Sequence, residues 1–284
     1  MRVSFSLWAG LAGALASLYP LTSSAGQAGT TAASSSTTGA ERFIAAYPDA
    51  IADVDGNWLV WRDGTRTAFD DGKGTKRCTE WLDAPDIEDM LQLPYPAGAG
   101  SSQPAFESDP GRARNAAFFD KMYGDCRKGE VKPRLKSITW LPTKAPQPLE
   151  VTSMNGVSDR LAAISQELDR LPNKFNAFLT PAAGTYNCRT IAGTKRVSAH
   201  GYGIAIDIAV SRSDYWRWAP NASSGEIRYR NRIPLEIVHI FERHGFIWGG
   251  RWYHYDTMHF EYRPELLPPL APLDRRPPTP AAQN

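Results

Sequence analysis

Two short motifs in the second half of the chain contain the residue types of a metal site. The first is Ser198-Ala-His-Gly-Tyr-Gly-Ile-Ala-Ile-Asp207, and the second is Asp256-Thr-Met-His-Phe-Glu261. Together they supply His200, Asp207 and His259, which are ligands of the kind that a catalytic zinc ion needs. A further carboxylate lies close by to handle protons. This combination predicts a metal-dependent hydrolase.

The strands predicted around the motifs can bring two of these ligands together. Side chains alternate between the two faces of a strand. In the predicted strand 204–210, the isoleucines face one way and Asp207 faces the other. In the predicted strand 258–262, the same rule places His259 and Glu261 together, away from the core. Neighbouring strands would therefore present Asp207 and His259 to one point.

His200 would reach the same point from the loop before the first strand, where Gly201 and Gly203 allow a tight path. Three protein ligands leave one position open for water, as in catalytic zinc sites. We predict that Asp256 is the general base that takes a proton from this water. Glu261 is the competing candidate, although a residue beside a ligand is better suited to holding an imidazole in place. The same ligands can also hold iron or manganese.

The rest of the chain predicts an α+β fold, a small antiparallel sheet with helices packed on it, because helices and short strands follow one another without regular alternation. Hydrophobic spacing and end signals predict helices over 112–123 and 158–171, and a third that begins at Pro234 and ends at Gly245. Strands are predicted at 57–61, 204–210, 246–248 and 258–262.

The two motifs, S-x-H-x-x-G-x-A-x-D and D-x-x-H-F-E, resemble those of the zinc D-alanyl-D-alanine carboxypeptidase-like family. That family includes the vancomycin-resistance dipeptidases and phage L-alanyl-D-glutamate endolysins, and it shares the hedgehog/DD-peptidase fold. The resemblance implies that zinc binds to His200, Asp207 and His259, and that peptidoglycan stem peptides are the substrate. It covers residues 151–267, whereas residues 41–150 carry no part of it.

One departure from the family pattern leaves undecided which peptide bond is cleaved. The carboxypeptidases and dipeptidases usually have glutamate three residues before the last ligand, whereas Asp256 resembles the branch that cuts L-Ala-D-Glu bonds. The family also has an arginine upstream of the first motif that grips the substrate. Arg189 best occupies that place here, with Arg196 in reserve, because a guanidinium group suits carboxylate recognition.

The order of segments predicts an exported protein. Residues 1–25 read as a signal peptide, with an uncleaved membrane anchor as the alternative, and 26–40 as a flexible linker. A region of unknown role, 41–150, precedes the peptidase domain at 151–267, and the proline-rich tail 268–284 is expected to be extended. We therefore expect a periplasmic or secreted protein.

Composition narrows the possible partners. The 284 residues are 42% hydrophobic and carry a formal net charge of only +2, which indicates a globular protein and gives no sign of a nucleic-acid partner. Beyond the signal segment, no apolar run is long enough for a membrane span. We expect a monomer. Of the three cysteines, we predict a Cys78–Cys126 bridge and a free, buried Cys188.

Several residues near the motifs have both a functional and an ordinary interpretation. His254 could donate a hydrogen bond to the transition state or simply stack among aromatic rings. Trp216 and Trp218 could form a wall for a glycan or peptide, but packing is the favoured interpretation. Arg112 and Arg114 are interpreted as a solvated helix face.

Two functions of different classes remain. The leading hypothesis is a zinc peptidase that acts on cell-wall peptides. The alternative is a non-catalytic wall-binding or signalling module that retains zinc for its structure. Asp256 favours the enzyme, because a module that only binds would have little need of a carboxylate beside three intact ligands.

Overall fold

A computed structural model describes residues 33–219 and 227–271 of the chain. The predicted signal peptide and most of the proline-rich tail lie outside these residues. Within them, no helix has both the length and the apolar character required to cross a membrane.

The described residues form helices and three small antiparallel sheets. The helices are α1 (Ala33–Ala46), α2 (Cys78–Asp83), α3 (Ala116–Tyr123), α4 (Val157–Asp169), α5 (Asn176–Leu179) and α6 (Leu235–Arg243). The strands are β1 (Ile51–Asp55), β2 (Trp58–Trp61), β3 (Arg66–Ala68), β4 (Leu135–Trp140), β5 (Gln147–Thr152), β6 (Ala205–Asp207), β7 (Phe246–Trp248) and β8 (His259–Tyr262). The sheets have the orders β1-β2-β3, β4-β5 and β6-β8-β7. The α+β class is confirmed.

The β6-β8-β7 sheet positions the predicted ligands. Its central strand β8 pairs with β6 in a register that sets Asp207 directly opposite His259. On one face, Phe241 of α6 stacks on Phe260 with ring centroids 3.9 Å apart. On the other face, Glu261 is fully buried beneath Arg114, which precedes α3. The sheet is therefore covered on both sides, and the ligand face is not the solvent face.

The region 41–150 is part of the same core as the domain that follows it. Phe119 of α3 packs against Tyr202 with centroids 5.5 Å apart, and both belong to the largest hydrophobic cluster. The division that we predicted between residues 150 and 151 falls inside β5, which pairs along its whole length with β4. The structure therefore does not match that boundary.

Three predicted segments begin or end at different residues in the structure. Helix α1 begins at Ala33, inside the predicted linker 26–40, and Ala40 is already buried against the core. The strand predicted at 204–210 ends at Asp207, because the chain turns into 3-10 helix at Val210. The helix predicted at 112–123 starts only at Ala116, because the Asn115 side chain accepts a hydrogen bond from the backbone of Phe118 and caps it there.

The cysteine pairing predicted from the sequence is wrong. The disulfide joins Cys126 to Cys188, with Cα atoms 5.6 Å apart, and does not involve Cys78. The chain from Cys188 leads to Thr190, which bridges to Val197 just before the first motif. This path brings the motif against Cys126, whose sulfur lies 3.2 Å from the position that a Cβ on Gly201 would occupy. The structure thus links Cys188 to the region that contains α3.

Candidate metal centre

The three predicted ligands lie together. Asp207 Oδ1 is 3.2 Å from His200 Nε2 and 3.0 Å from His259 Nδ1, and the two ring nitrogens are 3.3 Å apart. His200 and His259 are buried, and Asp207 is half-buried. Two imidazole nitrogens and one carboxylate oxygen therefore converge on one point, as the strand periodicity predicts.

A short 3-10 turn over Ala199–Tyr202 places the first histidine. The Nδ1 atom of His200 lies 2.6 Å from the backbone oxygen of Thr185, which leaves Nε2 to face the other ligands. Gly203 has φ of 68°, a left-handed conformation that glycine adopts without strain. A Cβ on Gly201 would lie only 2.7 Å from Val197. Both glycines are needed for the tight path predicted from the sequence.

Glu261 orients the second histidine. Its Oε2 atom lies 2.9 Å from His259 Nε2, so that Nδ1 of the same ring faces Asp207. Arg114 binds both oxygens of Glu261, and Arg263 contacts Oε1 at 3.3 Å. Burial disfavours the charged carboxylate, but these arginines and His259 outweigh it and hold the pKa of Glu261 well below its usual value. Glu261 therefore acts as a fixed anion behind the imidazole.

The chemistry of these donors fits a cation. Burial disfavours a charged imidazole, but Asp207 and Glu261 outweigh it and raise the pKa of His259 to about 10. The carboxylates that favour a proton on this ring would equally favour a metal ion. The arrangement is also that of known metal sites, in which the far nitrogen of each imidazole is held by a carboxylate or a backbone carbonyl. His200, Asp207 and His259 would hold the ion.

Asp256 lines the pocket that also contains the three ligands, which we call the metal pocket. Its backbone is fixed by a hydrogen bond from its N–H to Gly249 and by a bridge to Tyr215. A Cβ on Gly249 would approach the Asp256 carbonyl oxygen to 2.5 Å, so only glycine fits there. Among the described residues, the buried Oδ1 of Asp256 has no hydrogen-bond partner. Burial raises the pKa of this carboxyl group to about 6, which suits proton exchange near neutral pH.

The structure separates the two arginines predicted to bind substrate. Arg189 lines the metal pocket, with its side chain exposed. Arg196 does not line it, since its guanidinium Nε lies 3.2 Å from Asp83 Oδ1 in the neighbouring cavity. Two other arginines, Arg112 and Arg114, line both cavities. The sequence interpretation of these two as a solvated helix face is wrong, because α3 begins after them.

His254 and Trp216 also line the pocket. Asp109 accepts hydrogen bonds from the backbone of His254 at 2.9 Å and from its ring Nδ1 at 2.6 Å. The same carboxylate pairs with Arg112 at 2.6 Å. Trp216 packs edge-on against His254, with ring centroids 4.8 Å apart, so it both packs against a neighbouring ring and lines the pocket. No sequence pattern links Asp109 to His254.

Comparison with known proteins supports the resemblance stated from the motifs. Residues 192–262 match the D-alanyl-D-alanine carboxypeptidase family model. This segment is a quarter of the chain and contains His200, Asp207, Asp256 and His259. No curated protein and no solved structure gives a significant match. The chain therefore contains a segment that is similar to a peptidase family, while Arg112, Arg114 and Arg189 lie outside the matched residues.

We expect Glu261→Gln to weaken metal binding about 10–100-fold, because an amide cannot hold the His259 ring as a carboxylate does. Equilibrium dialysis against buffered zinc would measure the change. Glu265→Gln is the matched control, since Glu265 is also buried and also pairs with Arg263, but it touches neither ligand histidine. Both variants should melt at lower temperature than the wild type, and only Glu261→Gln should lose metal affinity. Equal metal affinities would contradict the role of Glu261.

Proposed function

We propose that this protein is a zinc-dependent peptidase that hydrolyses peptide bonds of peptidoglycan stem peptides. The observation that carries the proposal is the convergence of His200, Asp207 and His259 in one pocket with Asp256, whose Oδ1 atom is buried and has no hydrogen-bond partner. The peptidase-family match over the same residues supports it. Two histidines and one carboxylate are also the ligand set of several zinc peptidases.

Asp256 is the proton carrier of the proposed reaction. A zinc ion supplies Lewis acidity at such a site, since it polarises a carbonyl group and makes water more acidic. The Asp256 carboxylate takes the proton from the attacking water and then delivers it to the leaving amine. Burial raises the pKa of this carboxyl group toward neutrality, which favours both transfers.

His254 stabilises negative charge in this mechanism. Asp109 accepts a hydrogen bond from Nδ1 at 2.6 Å, and although burial raises the pKa of Asp109, His254 and Arg112 outweigh burial and hold it below its usual value. When the ring carries both protons, Nε2 can donate to the oxygen of the carbonyl under attack, a contact that strengthens as charge develops there. Arg189 and Arg112 line the same pocket and can bind a substrate carboxylate.

The length of the Asp256 side chain bears on which peptide bond is cleaved. Asp256 has a shorter side chain than the glutamate usual in the carboxypeptidase and dipeptidase branches, so cleavage at L-Ala-D-Glu is a candidate beside removal of terminal D-alanine. The alternative function is a non-catalytic zinc module that binds the cell wall or takes part in signalling. Asp256 favours the enzyme, because a structural ion needs no adjacent carboxylate with a free oxygen.

The location and the partners belong to the same proposal. A periplasmic or secreted peptidase meets its substrate directly, and the predicted signal peptide at 1–25 would take it there. The disulfide between Cys126 and Cys188 is in keeping with an oxidising compartment. We propose that the protein acts as a monomer on wall peptides.

Digestion of purified muropeptides, with and without a chelator, tests the function and the bond together. Mass spectrometry would show loss of terminal alanine for a carboxypeptidase, or release at L-Ala-D-Glu for an endopeptidase. We expect a chelator to abolish either product and added zinc to restore it. Absence of any product from the zinc-loaded protein would instead support the binding module. Products that persist in the chelator would contradict metal dependence.

A further inference from the structure

A second cavity adjoins the metal pocket and has a basic lining. It shares Arg112 and Arg114 with the metal pocket, so the two cavities adjoin at these side chains. Its other charged residues are Arg127, Lys195, Arg196 and a single acid, Asp83. We refer to this space as the basic cavity. Of these residues, Arg127, Lys195 and Arg196 have no role in the reaction proposed at the metal.

The positive charge of Arg196 is poorly compensated. Its side chain is only 19% exposed, whereas its partner Asp83 is 62% exposed. An ion pair that reaches into solvent contributes little. Burial and the neighbouring charges of Arg112 and Arg114 lower the pKa of the Arg196 guanidinium. The basic cavity thus holds guanidinium groups that repel one another.

The acids that hold Arg112 and Arg114 are shared with other cations. Asp109 pairs with Arg112 but also with His254. Glu261 binds Arg114 but also Arg263 and His259. These acids fix the two guanidinium groups in place without fully neutralising them. An anion that entered the basic cavity would therefore meet cations whose positions are already set, which reduces the entropic cost of binding.

The wall of the basic cavity includes the start of α3, at Asn115, Ala116 and Ala117. Backbone N–H groups at a helix start favour an anion. Planar guanidinium groups bind carboxylates through two parallel hydrogen bonds. Both features favour an anion, the guanidinium cluster more strongly than the helix start, and in the peptide substrates proposed above that anion is a carboxylate.

We propose that the basic cavity binds a second carboxylate of the substrate, apart from the group held at the metal. This inference rests on the proposed function and narrows its substrate class to peptides that carry an acidic side chain or a free α-carboxylate near the scissile bond. Because the two cavities adjoin at Arg112 and Arg114, a peptide bound at the metal lies close to the basic cavity. Arg196 is then a specificity residue and not a catalytic one.

Pairs of stem peptides that differ in one group provide the test. The two peptides of a pair have the same sequence, but one carboxylate of the first is a carboxamide in the second. There is one such pair for each carboxylate of the stem peptide. For the carboxylate that enters the basic cavity, we expect the wild-type KM to be about tenfold lower for the acid than for the amide, since hydrogen bonds to charged groups are the stronger ones. The value of kcat should be similar for both peptides.

Two variants should shift this preference in opposite directions. Arg196→Gln should raise KM about tenfold for the acidic peptide and leave the amide unchanged. Asp83→Asn removes the competing anion and should lower KM for the acidic peptide. Arg66→Gln is the matched control, because Arg66 also pairs with one exposed aspartate but lies on β3, outside both cavities. A general loss of folding could not produce opposite shifts.

Equal effects of Arg196→Gln on acid and amide, or no effect on either, would overturn the inference while leaving the peptidase function intact. If the zinc-loaded wild type cleaves no peptide, the proposed function fails instead. The basic cavity is then tested by direct titration with glutarate, a simple dicarboxylate. Weaker glutarate binding to Arg196→Gln than to wild type and Arg66→Gln would support the site. Equal binding to all three would overturn it.

Discussion

Replacement of Asp256 by asparagine should lower kcat by about 10²–10⁴-fold while zinc remains bound. Asparagine preserves the shape of the side chain but cannot accept a proton at neutral pH. The backbone of Asp256 is held by Gly249 and Tyr215, so the fold at this point does not depend on the carboxylate. Steady-state hydrolysis of a stem peptide measures kcat. Metal analysis of the same sample measures the bound zinc.

Asp256→Glu is the informative companion, because it keeps the base and lengthens its arm. We expect partial activity and, if reach selects the bond, a shift toward the products of the carboxypeptidase branch. The melting temperatures of both variants should be close to that of the wild type. Undiminished turnover by Asp256→Asn would move the general base to Glu261 or His254. Loss of zinc from that variant would mean that Asp256 belongs to the ligand set.

His200→Ala should lose both the metal and the activity. The imidazole supplies one of three protein ligands, and the two that remain form a much weaker site. A ligand that binds only the folded state stabilises it, by about 2.7 kcal/mol at a hundred times its dissociation constant. Added zinc should therefore raise the melting temperature of the wild type and leave that of His200→Ala unchanged. Metal analysis after gel filtration provides the direct measurement.

His244→Ala is the matched control for the metal experiment. His244 is a half-buried histidine with a carboxylate partner, Glu167 at 2.5 Å, but it follows α6 and lies outside the metal pocket. This variant should bind zinc and respond to it as the wild type does. A His200→Ala protein that is fully loaded with zinc would refute the ligand role of His200.

The site could be predicted where its geometry is local. Alternation along a strand is a property of the backbone, so Asp207 and His259 could be placed on matching faces from their neighbours alone. The glycines around His200 are likewise required by the path of a few residues. Helix α4 and the strand β7 follow from spacing and end signals in the same way. Each of these features depends on residues that are close in sequence.

Features that join distant parts of the chain could not be predicted. Asp109 meets His254, and Arg114 meets Glu261, across separations of 145 and 147 residues. No periodicity encodes such pairs, because they arise only when the segment before α3 folds over the sheet. The pairing of three cysteines is undetermined for the same reason. The early end of the strand at Asp207 was missed because the apolar alternation continues into the turn.

Glu261 is buried beneath Arg114, so the smallest part of the chain that can fold around the site must include Arg114. An excised fragment that began at residue 151 would contain every predicted ligand and the whole family match. It would also leave Glu261 without its strongest partner and β5 without β4. Arg263 and His259 would remain beside Glu261, but the removal of one partner from a buried ion pair is strongly destabilising. The candidate metal site is therefore inseparable from a segment that the family comparison does not reach, and the folded unit includes Ala40.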